Sequence, residues 1–152
     1  MYAGQAGDES TKGMPSQIQV FNSLSLMCDL TDRLSVAAQG DFVSQGNSLR
    51  SDTTSAAYYF AGLLQFKYKI IDKFSVSARG DFFNDPDGFM TDGASGSKAP
   101  FSWAGASVGV EYKPTANTFI RAEYQWLQAN QGIFQEWDRT RRSIILSSGF
   151  WL

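Results

Sequence analysis

The sequence predicts an all-β protein, built as an antiparallel up-and-down barrel. A sustained two-residue periodicity, an internal echo and an alternation of short and long connections predict it. The periodicity is plainest in residues 58–83, YYFAGLLQFKYKIIDKFSVSARGDFF. There Tyr58, Phe60, Gly62, Leu64, Phe66, Tyr68 and Ile70 alternate with Tyr59, Ala61, Leu63, Gln65, Lys67 and Lys69. Past IIDK the parity is kept, with Phe74, Val76, Ala78, Gly80 and Phe82 set against Ser75, Ser77, Arg79, Asp81 and Phe83. Such patterning marks strands whose two faces meet different surroundings.

Taken in order, MYAGQAG is a stub, too short and too rich in Gly to span a membrane by itself. The first plain strand covers about 16–30, with Ile18, Val20, Leu24, Leu26 and Leu30 alternating with Gln17, Gln19, Ser23, Ser25 and Asp29. The tripeptide TDR leads to a second strand over 34–43, and a polar stretch, 44–55, precedes the third, 56–70. IDK joins this to the fourth, 74–83, and the long segment 84–100 follows. Strands over 102–113 and 117–127 are joined by KPTAN, and the segment 128–140 leads to the last, 141–152. The echo is DRLSVAAQGDFV at 32–43 against DKFSVSARGDFF at 72–83, which suggests hairpins added one after another. Short turns at one end and long polar loops at the other are the habit of outer-membrane barrels.

Composition narrows the function. The 152 residues carry a net charge of −2, so no basic field points to nucleic acid. There is no His, which removes the commonest general base and metal ligand. The single Cys28 cannot form an internal disulfide. No catalytic residues are assigned, since no nucleophile and base cluster, and no cofactor is expected. No apolar run reaches the ~20 residues of a membrane-spanning helix, and the mean hydropathy of −0.25 does not argue against a barrel, whose strands are only half apolar. The N-terminus lacks the basic start and apolar middle of a signal peptide, so an exported protein would be seen here in processed or truncated form.

Alternation alone does not say which face is outside. A soluble barrel lines its interior with the apolar face, whereas a membrane barrel turns that face to lipid. The strands are long enough for a tilted bilayer crossing, and charge is segregated onto the odd positions. A Lys or Arg facing lipid at mid-bilayer costs about 2–4 kcal/mol, which explains the segregation. Gln39, Asp41, Lys67, Lys69, Arg79, Asp81, Glu111, Arg121 and Glu123 are therefore expected to face the lumen. Leu24, Leu26, Val36, Leu64, Phe66, Val76, Val108, Val110, Ile120 and Leu146 are expected to face lipid. Aromatic residues gather near strand ends as two interfacial girdles. Tyr58, Phe60, Phe82, Phe101, Trp103, Tyr124 and Trp126 are assigned to the long-loop end, and Phe66, Tyr68, Phe74, Tyr112 and Phe150 to the short-turn end.

Three local motifs invite chemistry. Asn84, Asp85 and Asp87 in NDPDG are a weak calcium candidate, and the same residues read first as a turn. Arg79-Gly80-Asp81 spells an adhesion tripeptide but falls inside a strand. Arg141 and Arg142 of WDRTRR could meet lipopolysaccharide phosphates at an outer rim, although a solvated loop is the blander account.

DKFSVSARGDFFNDPDGFMTDG, followed by EYKPTANTFIRAEYQW, resembles the C-terminal part of β-barrel porins of the porin-2 (OmpL-like) outer-membrane family. The likeness covers residues 58–126 well, and 16–57 and 141–152 more loosely. It implies a Gram-negative outer-membrane location and a pore-forming role, with no catalytic residues. The family's chains are longer, and this one ends in Leu152 rather than an aromatic residue.

Bacterial barrels have even strand numbers, so seven plain strands and a stub allow two architectures. The chain is one barrel domain over 1–152 with a weak first strand, or the C-terminal half of a larger barrel. The leading functional expectation is a porin-like barrel for passive diffusion of small hydrophilic solutes or ions. A small closed eight-stranded barrel with a structural or surface-binding role is the alternative, and a soluble ligand-binding barrel is the third. Expected partners are outer-membrane lipid and lipopolysaccharide, the barrel-assembly machinery, and a homo-oligomer or larger envelope complex, with no nucleic acid.

Overall fold

A computed structural model of the chain describes residues 1–8, 17–48, 54–88, 90, 100–134 and 137–151. Eight strands follow one another: β1 (Tyr2–Asp8), β2 (Ile18–Asp29), β3 (Leu34–Gln45), β4 (Ala57–Ile71), β5 (Phe74–Asp85), β6 (Phe101–Tyr112), β7 (Thr118–Ala129) and β8 (Thr140–Phe150). They form one sheet in chain order, each antiparallel to the next. The sheet is not closed, and β1 and β8 are its edges. The stub expected to be too short for a span forms the seven-residue β1, pairing from Tyr2↔Leu24 to Asp8↔Ile18.

Register explains why the parity survives the whole chain. Leu24 faces Gly40, Gly40 faces Gly62, Gly62 faces Phe82 and Phe82 faces Ala104, so even positions meet even positions across successive strands. A one-residue slip in any pair would turn that strand's apolar set to the other face. Among the described residues the single irregularity in the pairing is a bulge between Lys69 and Ile71, where Lys69 faces Ser75 but Ile71 faces Phe74. A bulge takes up one extra residue without disturbing pairing beyond it.

Turn chemistry fits the connections. In the β2–β3 turn the Thr31 hydroxyl accepts from the Arg33 and Leu34 N–H groups at 3.2 and 3.0 Å. The Thr115 hydroxyl accepts from the N–H of Asn117 at 3.3 Å and meets the Thr118 hydroxyl at 2.8 Å between β6 and β7. At the other end Asp85-Pro86-Asp87-Gly88 closes a turn, with the Gly88 N–H donating to the Asp85 carbonyl at 3.2 Å. Gly88 has φ 64°, a conformation that favours Gly, and Pro86 supplies the fixed φ of the first central position. The strands run further toward the long loops than the periodicity suggests, to Gln45, Asp85 and Ala129.

The burial is opposite to that of a water-soluble sheet. Along β6, Gly105, Ser107, Gly109 and Glu111 are buried, while Ala104, Ala106, Val108, Val110 and Tyr112 are exposed. Val108 is 59% exposed and Glu111 6%. Side chains on the odd face reach each other across an intervening strand, Lys67 to Glu111 over β5 and Arg79 to Glu123 over β6. The odd face is therefore concave and the apolar even face convex. In water, each exposed Leu or Ile would forgo about 1.5–3 kcal/mol of burial, and a bilayer removes that penalty.

Candidate functional site: the charged inner wall

The centre of the concave face is a network of ion pairs spread over β4 to β7. Lys67 Nζ lies 2.7 Å from Glu111 Oε1, and Arg121 Nε donates to Glu111 Oε2 at 3.2 Å. Arg121 and Glu111 are register partners, but Lys67 and Glu111 are two strands apart. A second cluster joins Arg79 to Asp81 at 3.2 Å and to Glu123 at 3.3 Å. Three cations thus meet three carboxylates, and both sets are held by strands rather than loops.

Small residues make these crossings geometrically possible. Ser75 and Ser77 stand on β5 beneath the Lys67–Glu111 pair, and Gly105, Ser107 and Gly109 on β6 beneath Arg79 and Glu123. A Cβ at Gly105 would come within 2.8 Å of Asp81 Oδ2 and 2.6 Å of Leu127 Cδ2. One at Gly109 would come within 2.9 Å of Ser77 Oγ. Long charged side chains therefore lie flat along the wall where larger neighbours would push them into the central space.

Of the residues expected to face a lumen, Lys67, Arg79, Asp81, Glu111, Arg121 and Glu123 come together in this network. Gln39 and Asp41 form a separate pair on β3, Gln39 donating to both carboxylate oxygens at 3.1 Å. Lys69 lies nearer the turns, 3.6 Å from Asp72. The residues expected to face lipid are all on the convex side. Leu24, Leu26, Leu64, Phe66, Val108, Val110, Ile120 and Leu146 are exposed there, and Val36 and Val76 half-exposed.

The aromatic bands divide by parity, which corrects one assignment. On the convex face near the long loops, Phe42 stacks with Tyr58 at 6.3 Å and Phe82 meets Phe60 edge-on at 6.1 Å. Phe82 also lies over Gly62, where a Cβ would come within 2.5 Å of its ring. Phe101 and Trp103 do not belong to that band, because their odd positions put them on the concave face. There Phe101 is buried against Phe83, which in turn meets Tyr59 at 5.4 Å. Position near a strand end suggested a girdle, and parity, which the sequence also carries, would have placed both correctly.

The NDPDG carboxylates serve the backbone. Asp85 is fully buried and its Oδ2 accepts the Met90 N–H at 3.0 Å. Asp87 Oδ2 accepts the Tyr58 N–H at 3.1 Å, tying this turn to the start of β4. Asn84 and Asp85 stand on opposite faces of β5. Among the described residues no group of three or more His, Cys, Asp or Glu is placed to hold a metal. Arg79-Gly80-Asp81 lies within β5, with both charged side chains engaged in the inner network. Arg141 and Arg142 are exposed near the start of β8.

An open antiparallel sheet with an apolar outer face and charges inside is the pattern of a membrane barrel wall. The family model described as "Putative beta-barrel porin-2, OmpL-like" matches residues 1–149. The chain belongs to this porin-2 family. No curated protein and no solved structure matches it. Family membership makes the chain a porin-type membrane β-barrel.

Proposed function

We propose that the chain forms the wall of an outer-membrane pore through which small hydrophilic solutes or ions diffuse passively. The observation that carries this reading is the inner network of Lys67, Arg79 and Arg121 with Asp81, Glu111 and Glu123. Backed by a convex apolar face, that network gives water and ions a continuous polar surface. Nearly balanced charge on such a wall makes for weak ion selectivity at the mid-height of the pore. No step of covalent chemistry is part of the reading. In the outer membrane, the convex side chains meet lipid, while Arg141 and Arg142 at the long-loop end meet lipopolysaccharide phosphates. Insertion would depend on the barrel-assembly machinery.

The test is conductance of the purified protein in planar lipid bilayers. Stepwise openings that scale with salt concentration are expected, and a protein that inserts but passes no current would defeat the pore reading. A small closed barrel with a scaffold role is favoured by one observation. The ion pairs span neighbouring and next-nearest strands, and in an eight-stranded barrel such side chains fill the interior.

A further inference from the structure

The concave face carries a second charged feature, at the short-turn end, which borders the central network at Lys67 and Glu111. A hollow of about 210 Å³ opens there beside the β2–β3, β4–β5 and β6–β7 turns. Five cations line it: Arg33, Lys67, Lys69, Lys73 and Lys113. Three carboxylates, Asp32, Asp72 and Glu111, stand against them. Glu111 is already shared between Lys67 and Arg121, and Asp72 is 3.6 Å from Lys69. Arg33, Lys73 and Lys113 have no ion-pair partner among the described residues.

The backbone fixes this grouping. The Lys69 N–H donates to the Arg33 carbonyl at 2.8 Å, and the Lys113 N–H donates to the Lys73 carbonyl, also at 2.8 Å. Each bond sets two cationic residues side by side across neighbouring strands. Like charges so placed repel one another, the more so where water is excluded between them. Stability alone would favour separating them, whereas an anion bound between them would offset the repulsion. Ser75, 7% exposed, adds a hydroxyl in the same hollow.

We propose that this hollow is a binding site for a small multivalent oxyanion, phosphate being the simplest case. The volume suits one tetrahedral ion with its water, and Arg33, Lys73 and Lys113, the cations with no ion-pair partner among the described residues, are the donors such an ion takes. The hollow opens on the concave side, away from the apolar face, so the ligand is a dissolved anion rather than a lipid headgroup. Binding does not depend on the pore reading. If the chain does line a pore, the site stands at its short-turn mouth and favours anions there.

The probe is inorganic phosphate, titrated calorimetrically into the protein folded in zwitterionic detergent at low ionic strength, where screening is weak. One saturable site is expected. Lys73→Gln with Lys113→Gln should weaken it roughly tenfold or more, since two of the three uncommitted positive charges are removed. Arg139→Gln, at the opposite end, should leave it unchanged, and circular dichroism checks that each variant is folded. Absence of saturable binding by the parent protein, or a folded double variant that binds as well, overturns the proposal. Competition by phosphatidylglycerol micelles would assign the site to a headgroup and also overturn it. Conductance separates this from the pore reading. Phosphate binding without conductance leaves the site standing and the pore fallen, and conductance without phosphate binding does the reverse.

Discussion

Lys67 on β4 and Glu111 on β6 meet at 2.7 Å although a whole strand lies between them. The contact requires both curvature and the small residues Ser75 and Ser77 on β5. The Glu111 side chain is only 7% exposed, and it also serves Arg121, so its removal leaves two cations facing the same gap. Both cations keep partial access to water, which moderates the loss. Glu111→Gln is expected to lower the unfolding free energy in detergent or vesicles by about 1–2 kcal/mol. Lys67→Met combined with Glu111→Met should cost less than the two single changes added together. Strict additivity would mean that the pair contributes nothing beyond its separate surroundings.

Glycine on the inner wall is there for space, not for backbone conformation. Gly105→Ala would set a methyl 2.8 Å from the Asp81 carboxylate and 2.6 Å from Leu127. Both contacts are the ends of flexible side chains that can give way, so the expected cost is about 1 kcal/mol, at the low end for overpacked sites. Gly40→Ala on the convex face meets nothing within 4 Å and should be neutral or slightly stabilising. Equal unfolding midpoints for the two variants would contradict this distinction.

The DPDG turn carries a third prediction. Asp85→Ala removes the acceptor of the Met90 N–H at a fully buried site, with an expected loss of about 1–3 kcal/mol. Because the carboxylates are engaged with backbone N–H groups, calcium should not raise the thermal midpoint of the parent protein, and a chelator should not lower it. A calcium-dependent rise that disappears in Asp85→Ala would restore the metal reading.

Much of this was legible in the sequence because every short connection and long loop keeps the parity of the strands. The even face could therefore be read straight through, from Leu24 to Leu146. β1 carries little pattern, because of Gly4, Gly7 and a length of seven residues, and what orders it is pairing with β2. Phe101 and Trp103 were misplaced by reading height along the strand without parity. Which charged residues share the inner face is legible from parity, but which of them pair across an intervening strand is not. The network's Lys67–Glu111 and Arg79–Glu123 members are not register partners, and only the curvature of the sheet brings them together. The grouping of Arg33, Lys73 and Lys113 was hidden for the same reason, since each is a single cation in its own turn.

The lipid-facing assignment is tested most directly on β8, where adjacent residues face opposite ways. Ile144 is 74% exposed on the convex side, and Ser143 is half-buried on the concave side, within 3.5 Å of Gln125. Both lie well inside the strand and belong to register pairs with β7, Tyr124↔Ile144 and Gln125↔Ser143. Ile144→Arg would place a guanidinium against hydrocarbon on the long-loop side of mid-strand, at a cost between the ~1 kcal/mol of the interface and the ~2–4 kcal/mol of the bilayer midplane. Ser143→Arg would place the same group among polar side chains, where the expected change is below about 1 kcal/mol. Folding yield into lipid vesicles and the denaturant midpoint measure both. In detergent micelles, which admit water more readily, the gap between the variants should narrow. Equal impairment of the two in vesicles would mean that the convex face does not meet lipid, and the apolar surface would then need another partner.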